Sequence, residues 1–285
     1  MTEEELKYSY FDTEPVSDEI LEKMDEMRKK GKLVPDLTLI KRPSQIAGIR
    51  EAGRINTEVL DEVTRTIHAG MSTQQIDDIV REFTAKKEAI CAPYKYDGFP
   101  KSVCTSLNNE VCHGIPARHR KLQDGDIINV DATTIFHGYY GDASRMFEIG
   151  NVSPKRKKLV EETKKCLEIG LAAAKPWATV GDIGAAIAKY AHSRGYSVVR
   201  ELGGHGVGVD FHEDPFVAHE AKAGTGMVLV PGMVITIEPM INAGRAAVVI
   251  DPYNGWTIYT RDGSDSAQWE HTILITETGN EILSY

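Results

Sequence analysis

The sequence lacks most of what marks a secreted, membrane-spanning or nucleic-acid-binding protein. Its four cysteines, Cys91, Cys104, Cys112 and Cys166, form no CxxC pair, and four in 285 residues make no disulfide framework. A reduced, cytoplasmic protein is therefore expected. No stretch approaches the roughly 18 consecutive apolar residues a membrane span needs. The start, MTEEELKYSY, is acidic and has no apolar core of the kind a secretory leader carries. Positive charge is in deficit: the net charge is −9 and the pI is near 5.5. With no basic stripe to neutralise phosphates, direct nucleic-acid binding is not expected. The one basic run, PKRKK at 154–158, reads as the solvated opening of a helix after Ser153. Prolines number only 12, and 41% hydrophobic with 26% charged residues is ordinary globular composition, enough for one large or two modest domains.

What is present divides unevenly. Residues 1–40 hold 11 acids against 6 bases, and SDEILEKMDEMRKK (17–30) sets Ile20, Leu21, Met24 and Met27 on one helical stripe behind a capping Ser17. This reads as an acidic, partly helical extension over 1–42, followed by the main domain over 43–285. From Pro43 the periodicity predicts two helices, then hairpins, then a second helix pair and further strands. GMSTQQIDDIV (70–80) and WATVGDIGAAI (177–187) align at a constant offset of 107 residues with few identities, which points to an internal duplication. Strands come in runs rather than alternating singly with helices, so an α+β fold with largely antiparallel sheet is expected.

Acids occur where a core strand should have none. In NVDATTIFHGYYGDASRMF (129–147), a two-residue turn at His137-Gly138 sets Phe136 opposite Tyr139 and Asp131 opposite Ser144. Asp142 then lies diagonally from Asp131 on the same face, with Cβ atoms about 7–8 Å apart. Glu238 in VITIEPMI and Glu270 in AQWEHTILI are likewise set in apolar strands that hold no Lys or Arg. Such groups are almost never buried unpaired, and a shared cation resolves both their desolvation and their mutual repulsion. GGHGVGVDFHEDP (203–215) adds His205 and His212. Its glycine spacing fails the dinucleotide fingerprint, and HEDPF lacks the second histidine of HExxH. One imidazole with four carboxylates suits Mn(II), Fe(II) or Co(II) better than structural zinc, and two ions about 3.5–4 Å apart would fit two-metal hydrolysis.

PKSVCTS…VCHGIP, NVDAT…GDASRMF, GGHGVG…FHEDP, TIEPM and AQWEHT, in that order, resemble the type I methionine aminopeptidases over roughly 240 residues from Pro43 onward. The resemblance implies the pita-bread (creatinase/aminopeptidase) fold, a pseudo-twofold repeat of antiparallel sheet covered by two helix pairs. It implies two divalent ions (Co, Mn, Fe or Zn) held by Asp131, Asp142, His205, Glu238 and Glu270, with Asp142 and Glu270 bridging. His113 and His212 would contact the substrate and stabilise developing charge, and Glu238 would shuttle a proton. Tyr96, Phe99, Cys104, Phe211 and Trp256 would form the methionine pocket. A monovalent cation at the carbonyls near Asn108 is also implied, although the SLNNEVCHG loop departs from the family's usual reading there. The implied activity is removal of initiator methionine from nascent polypeptides with a small second residue, by a monomeric enzyme, and Met1-Thr2 of this chain is itself such a sequence. The extension, which has neither cysteine nor PxxP, is a candidate for ribosome docking. Two alternatives stay open: a proline-specific peptidase of the same fold, and a non-catalytic binding protein on this scaffold. The 31 residues between Glu238 and Glu270 leave no room for the helical insertion of type II enzymes.

Overall fold

The architecture was taken from a computed structural model, which describes residues 16–285. Residues 1–15, including Met1-Thr2, lie outside the described residues. Helix α1 (Asp18–Lys29) begins where Ser17 caps Ile20 N at 3.4 Å. Of its stripe, Met24 is buried and Ile20 packs on the main core beside Val16 and Ile40, while Leu21 stays exposed. The first half then runs through α2 (Pro43–Thr66), α3 (Thr73–Lys86), β1 (Ile90–Cys91), β2 (Cys104–Leu107), β3 (Glu110–Cys112), β4 (Ile127–Phe136) and β5 (Tyr139–Glu148). The second contains α4 (Pro154–Ala173), α5 (Val180–Ser193), β6 (Ser197–Val198), β7 (Gly204–Gly206), β8 (Glu213–Val217) and β9 (Val234–Ile237). It closes with β10 (Met240–Asn242), β11 (Val248–Ile250), β12 (Ile258–Thr260), β13 (Ser266–Gln268), β14 (Glu270–Ile275) and β15 (Asn280–Ser284).

The central sheet has the order β1-β4-β5-β14-β9-β7-β8, with β2 added to β4 and β15 to β14. Every pairing between these strands is antiparallel. Two three-stranded sheets, β13-β10-β6 and β11-β12-β3, flank it. The expected α+β class with antiparallel sheet under two helix pairs is what the chain adopts. Helix α2 lies across β4, β5 and β15, and α4 packs on α5 and on β9, β10 and β13. The approach of α2 depends on Gly141 of β5, where a Cβ would come within 2.4 Å of Gly53 N. One buried polar group locks this contact. The Asn56 amide donates to Ala132 O at 2.7 Å and accepts from the Thr134 hydroxyl at 2.9 Å, so its burial costs little.

The duplication anticipated from the sequence is visible in hydrogen bonds rather than identities. Helices α3 and α5 are both 14 residues long and start 107 residues apart. Each opens with a capping box, Ser72 with Gln75 and Thr179 with Asp182. Leu122 N donates to Met71 O and Leu229 N to Ala178 O, both at 2.8 Å, and the bridges Ser72–Lys121 and Thr179–Val228 repeat the relation. At the same offset β4 corresponds to β9 and Asp131 to Glu238. Two acids far apart in sequence are thus the same position in two copies of one unit, and both line one cavity.

Candidate functional site

The β4–β5 hairpin turns at His137 (φ +48°) and Gly138 (φ +80°), the double left-handed turn that suits twisted strands. Its register pairs Phe136 with Tyr139, Asp131 with Ser144 and Thr133 with Asp142, as the sequence spacing requires. Thr133 donates its hydroxyl to Asp142 Oδ1 at 2.7 Å. Glu270, at the start of β14, pairs with Ser144 of β5, and Glu238 follows the end of β9. Both are buried, as is Asp142; Asp131 keeps partial exposure to the cavity.

Glu238 is held from three directions. Its backbone N–H donates to His219 Nε2 at 3.1 Å, Thr236 donates to Oε1 at 2.9 Å, and the Gln268 amide donates to Oε2 at 3.1 Å. His205 on β7 places Nδ1 2.9 Å from the carbonyl of Gly206. A carbonyl only accepts, so Nδ1 carries the proton and Nε2 presents a bare lone pair. That lone pair faces Asp142 Oδ2 at 3.7 Å and Glu238 Oε1 at 3.6 Å. Atoms of Asp142, His205 and Glu270 able to ligate a metal all lie within 4.8 Å of one another.

The electrostatics of this cluster are unfavourable without a cation. Burial, then the neighbouring carboxylates, pushes Asp142, Glu238 and Glu270 well above the ordinary carboxylate range, and burial raises Asp131 to about 7. Burial lowers His205 to about 3, so it remains neutral and cannot compensate the acids. No lysine or arginine is among the residues that line the cavity. A divalent ion fits this donor set. It would accept the Nε2 lone pair, screen the carboxylates from one another and find oxygen-rich ligation, while the Gly206 carbonyl orients the imidazole from behind.

Beside the acids, a cavity of about 750 Å³ is lined by the expected metal set, both histidines and the expected methionine pocket alike. His113 sits at φ +56°, with burial and the nearby His212 lowering it to about 4. His212 Nδ1 lies 2.9 Å from the Tyr96 hydroxyl, and its ring centroid is 4.3 Å from that of His205. Phe211 packs 4.7 Å from Tyr96, and Phe99 meets Trp256 edge-on at 5.2 Å. Burial drives the Cys104 thiol well above its usual range, so it is a neutral, polarisable wall.

Several residues in this arrangement were not anticipated. His219, Gln268 and Thr133 orient the acids, and Cys112, Leu202 and Met240 complete the cavity wall. Gln268 and Thr133 carried a faint signal, each a polar residue two positions from an acid in an apolar strand. His219 carried none. The carbonyls of Asn108 and Asn109 each accept a backbone N–H, from Ser266 at 2.8 Å and Thr260 at 3.0 Å.

With this geometry in place, the comparisons with known proteins are specific. The profile of metallopeptidase family M24 matches residues 47–277. A methionine aminopeptidase A of Synechocystis sp. is 50% identical over 249 residues, covering 87% of this chain and 97% of the relative. The crystal structure of methionine aminopeptidase from Rickettsia prowazekii superposes with a TM-score of 0.85 at 43% identity, covering 86% of this chain and 99% of that one. An Xaa-Pro dipeptidase from Bacillus anthracis shares the fold at TM-score 0.69 and 23% identity, but only 62% of its length is matched.

Proposed function

The chain belongs to metallopeptidase family M24, and on that premise we propose that it removes the N-terminal methionine from polypeptides whose second residue is small. The observation that carries this reading is the His205 Nε2 lone pair, 3.6–3.7 Å from two buried carboxylates in a cavity with no cationic lining residue. Asp131, Asp142, His205, Glu238 and Glu270 would hold two divalent ions. When bound, such ions supply Lewis-acid polarisation of the scissile carbonyl and lower the pKa of the attacking water.

The chain's own groups do the rest. Glu238, oriented by Thr236 and Gln268, takes the proton from the attacking water and delivers it to the leaving amine. His113 is neutral at working pH and donates an N–H to the developing oxyanion. His212, oriented by Tyr96, does the same. Phe99, Trp256, Phe211, Tyr96 and Cys104 offer aromatic rings and a thiol to a thioether side chain, which gains from sulfur–aromatic contact. The substrates we infer are nascent chains in the cytoplasm. Among the described residues no helix is long and apolar enough to cross a membrane.

The proline-specific alternative shares the acids, so peptides decide between the two. Met-Ala-Ser, Met-Leu-Ser and Ala-Pro-Ser would be offered to metal-stripped protein with and without Mn(II) or Co(II), and products read by mass spectrometry. Metal-dependent release of methionine from Met-Ala-Ser alone is expected. Cleavage of Ala-Pro-Ser instead would move the activity to the proline-specific branch, and no cleavage with any metal would favour a binding protein. Glu238→Gln should cut kcat by about 10²–10⁴-fold in folded protein, the usual worth of a positioned acid–base group; wild-type turnover in that variant would remove its assigned role.

A further inference from the structure

Residues 33–41, which join α1 to α2, run along the segment that leads into β9. Leu33 bridges to Met227 and Ile40 to Met233, and Lys41 N donates to Gly232 O at 2.8 Å. The contact is close: at Gly232 (φ +96°) a Cβ would come within 2.7 Å of Ile40 Cγ2. The backbone of Lys41 is therefore fixed to the same segment that carries Glu238. From there its side chain, 1% exposed, forms an ion pair with Glu213, whose own side chain is 10% exposed.

Glu213 uses its two oxygens differently. Oε2 takes Lys41, and Oε1 accepts the backbone N–H groups of Val209 at 2.9 Å and Asp210 at 3.0 Å. These amides open the loop whose next residues are Phe211 and His212. Behind that loop lies a second cavity of about 570 Å³, walled on one side by residues 37–42 and on the other by Val209, Asp210 and 212–214. The rear of the loop thus borders open volume, and the Lys41–Glu213 pair spans it.

A buried ion pair is a poor source of stability, because desolvating the two charges costs about what their attraction returns. What it supplies is fixed geometry, and here that geometry ends at the two loop residues facing the substrate. We propose that Lys41 is a positioning residue for the reaction: through Glu213 it sets the aim of His212 and Phe211 into the cavity. This rests on the aminopeptidase reading, in which His212 meets the substrate. It also gives the segment preceding the catalytic helices a part in the chemistry.

Lys41→Met keeps the stem and removes the charge. In the full chain loaded with Mn(II), kcat/KM for Met-Ala-Ser should fall by about 10–100-fold, the scale expected of an ångström-level misplacement. In a His212→Ala background the same change should cost clearly less than in the wild type, because only Phe211 remains for it to misplace. By hydrogen exchange, the amides of Val209 and Asp210 should lose protection in Lys41→Met. Lys41→Met/Glu213→Gln leaves no lone buried charge, so its Tm should recover while turnover stays low, and it replaces the single variant if that one fails to fold. An unchanged kcat/KM, an equal loss with and without His212, or unchanged protection of the two amides would overturn the proposal. If wild-type protein does not cleave Met-Ala-Ser at all, the aminopeptidase reading fails, and the amide exchange still decides whether Lys41 tethers the loop.

Discussion

Replacing Asp142 by Asn should stabilise the metal-free protein and weaken its response to metal. The Asn side chain has the same shape and keeps an oxygen to accept the Thr133 hydroxyl, a 2.7 Å bond in the wild type. What disappears is one negative charge within 4.8 Å of a Glu270 oxygen. Two full charges at that separation repel by about 3.5 kcal/mol at an effective dielectric constant near 20. Because burial makes these carboxyls share protons, only part of that is realised, and a gain of about 1–2 kcal/mol is expected in the presence of a chelator. The metal-bound state moves the other way. Wild-type protein at a hundredfold excess of Mn(II) over Kd should gain about 2.7 kcal/mol per site. For a chain of this size that is about 5–10 °C in Tm. Asp142→Asn should show less than half of that increment. Thermal unfolding of both proteins with EDTA and with Mn(II) reads all four numbers. A lower metal-free Tm with an intact metal increment would refute the view that these acids are built around a cation.

Other consequences test the scaffold. Gly141→Ala drives a Cβ to 2.4–2.5 Å from the backbone of Gly53 and Ala52, so α2 must move off the sheet. A loss of about 3 kcal/mol or more in chemical denaturation is expected, on the scale of severe overpacking; a loss below 1 kcal/mol would mean the helix sits less tightly than described. His219 is held neutral, burial having lowered it to about 3 from an ordinary 6.5. A depressed pKa contributes stability that is present above about pH 6.5 and lost as pH falls toward 3, with a slope of up to about 1.4 kcal/mol per pH unit for one proton. His219→Gln removes that proton uptake, so its stability should fall less steeply than wild type between pH 6.5 and 4. Parallel pH profiles would show that His219 is not buried as a neutral acceptor. Asp131 has the opposite sign. Raised to about 7, it favours the metal-free fold at low pH, and that contribution is lost as pH rises from about 4 through 7. Saturating Mn(II) should therefore raise Tm more at pH 7.5 than at pH 5.5, and an equal increment at both would count against Asp131 as a ligand.

The sequence by itself determined the hairpin, the acids and the class of chemistry, because each follows from local rules. A two-residue turn fixes strand register, register fixes which side chains share a face, and an acid on a buried face needs a partner. Ser17 and Ser153 likewise marked the starts of α1 and α4. The weak 107-residue offset hinted at the duplication, but only the tertiary structure decided it. Backbone hydrogen bonds repeat without regard to side-chain identity, so bonds such as those of Leu122 and Leu229 recur where few identities survive. Contacts between distant segments were beyond reach for the same reason. His219 is 19 residues from Glu238, and Lys41 is 172 residues from Glu213. Neither residue carries a local pattern that announces its partner. Periodicity reports which face of an element is buried, whereas the orientation of a catalytic acid or the aim of a loop depends on what the folded chain brings up behind it.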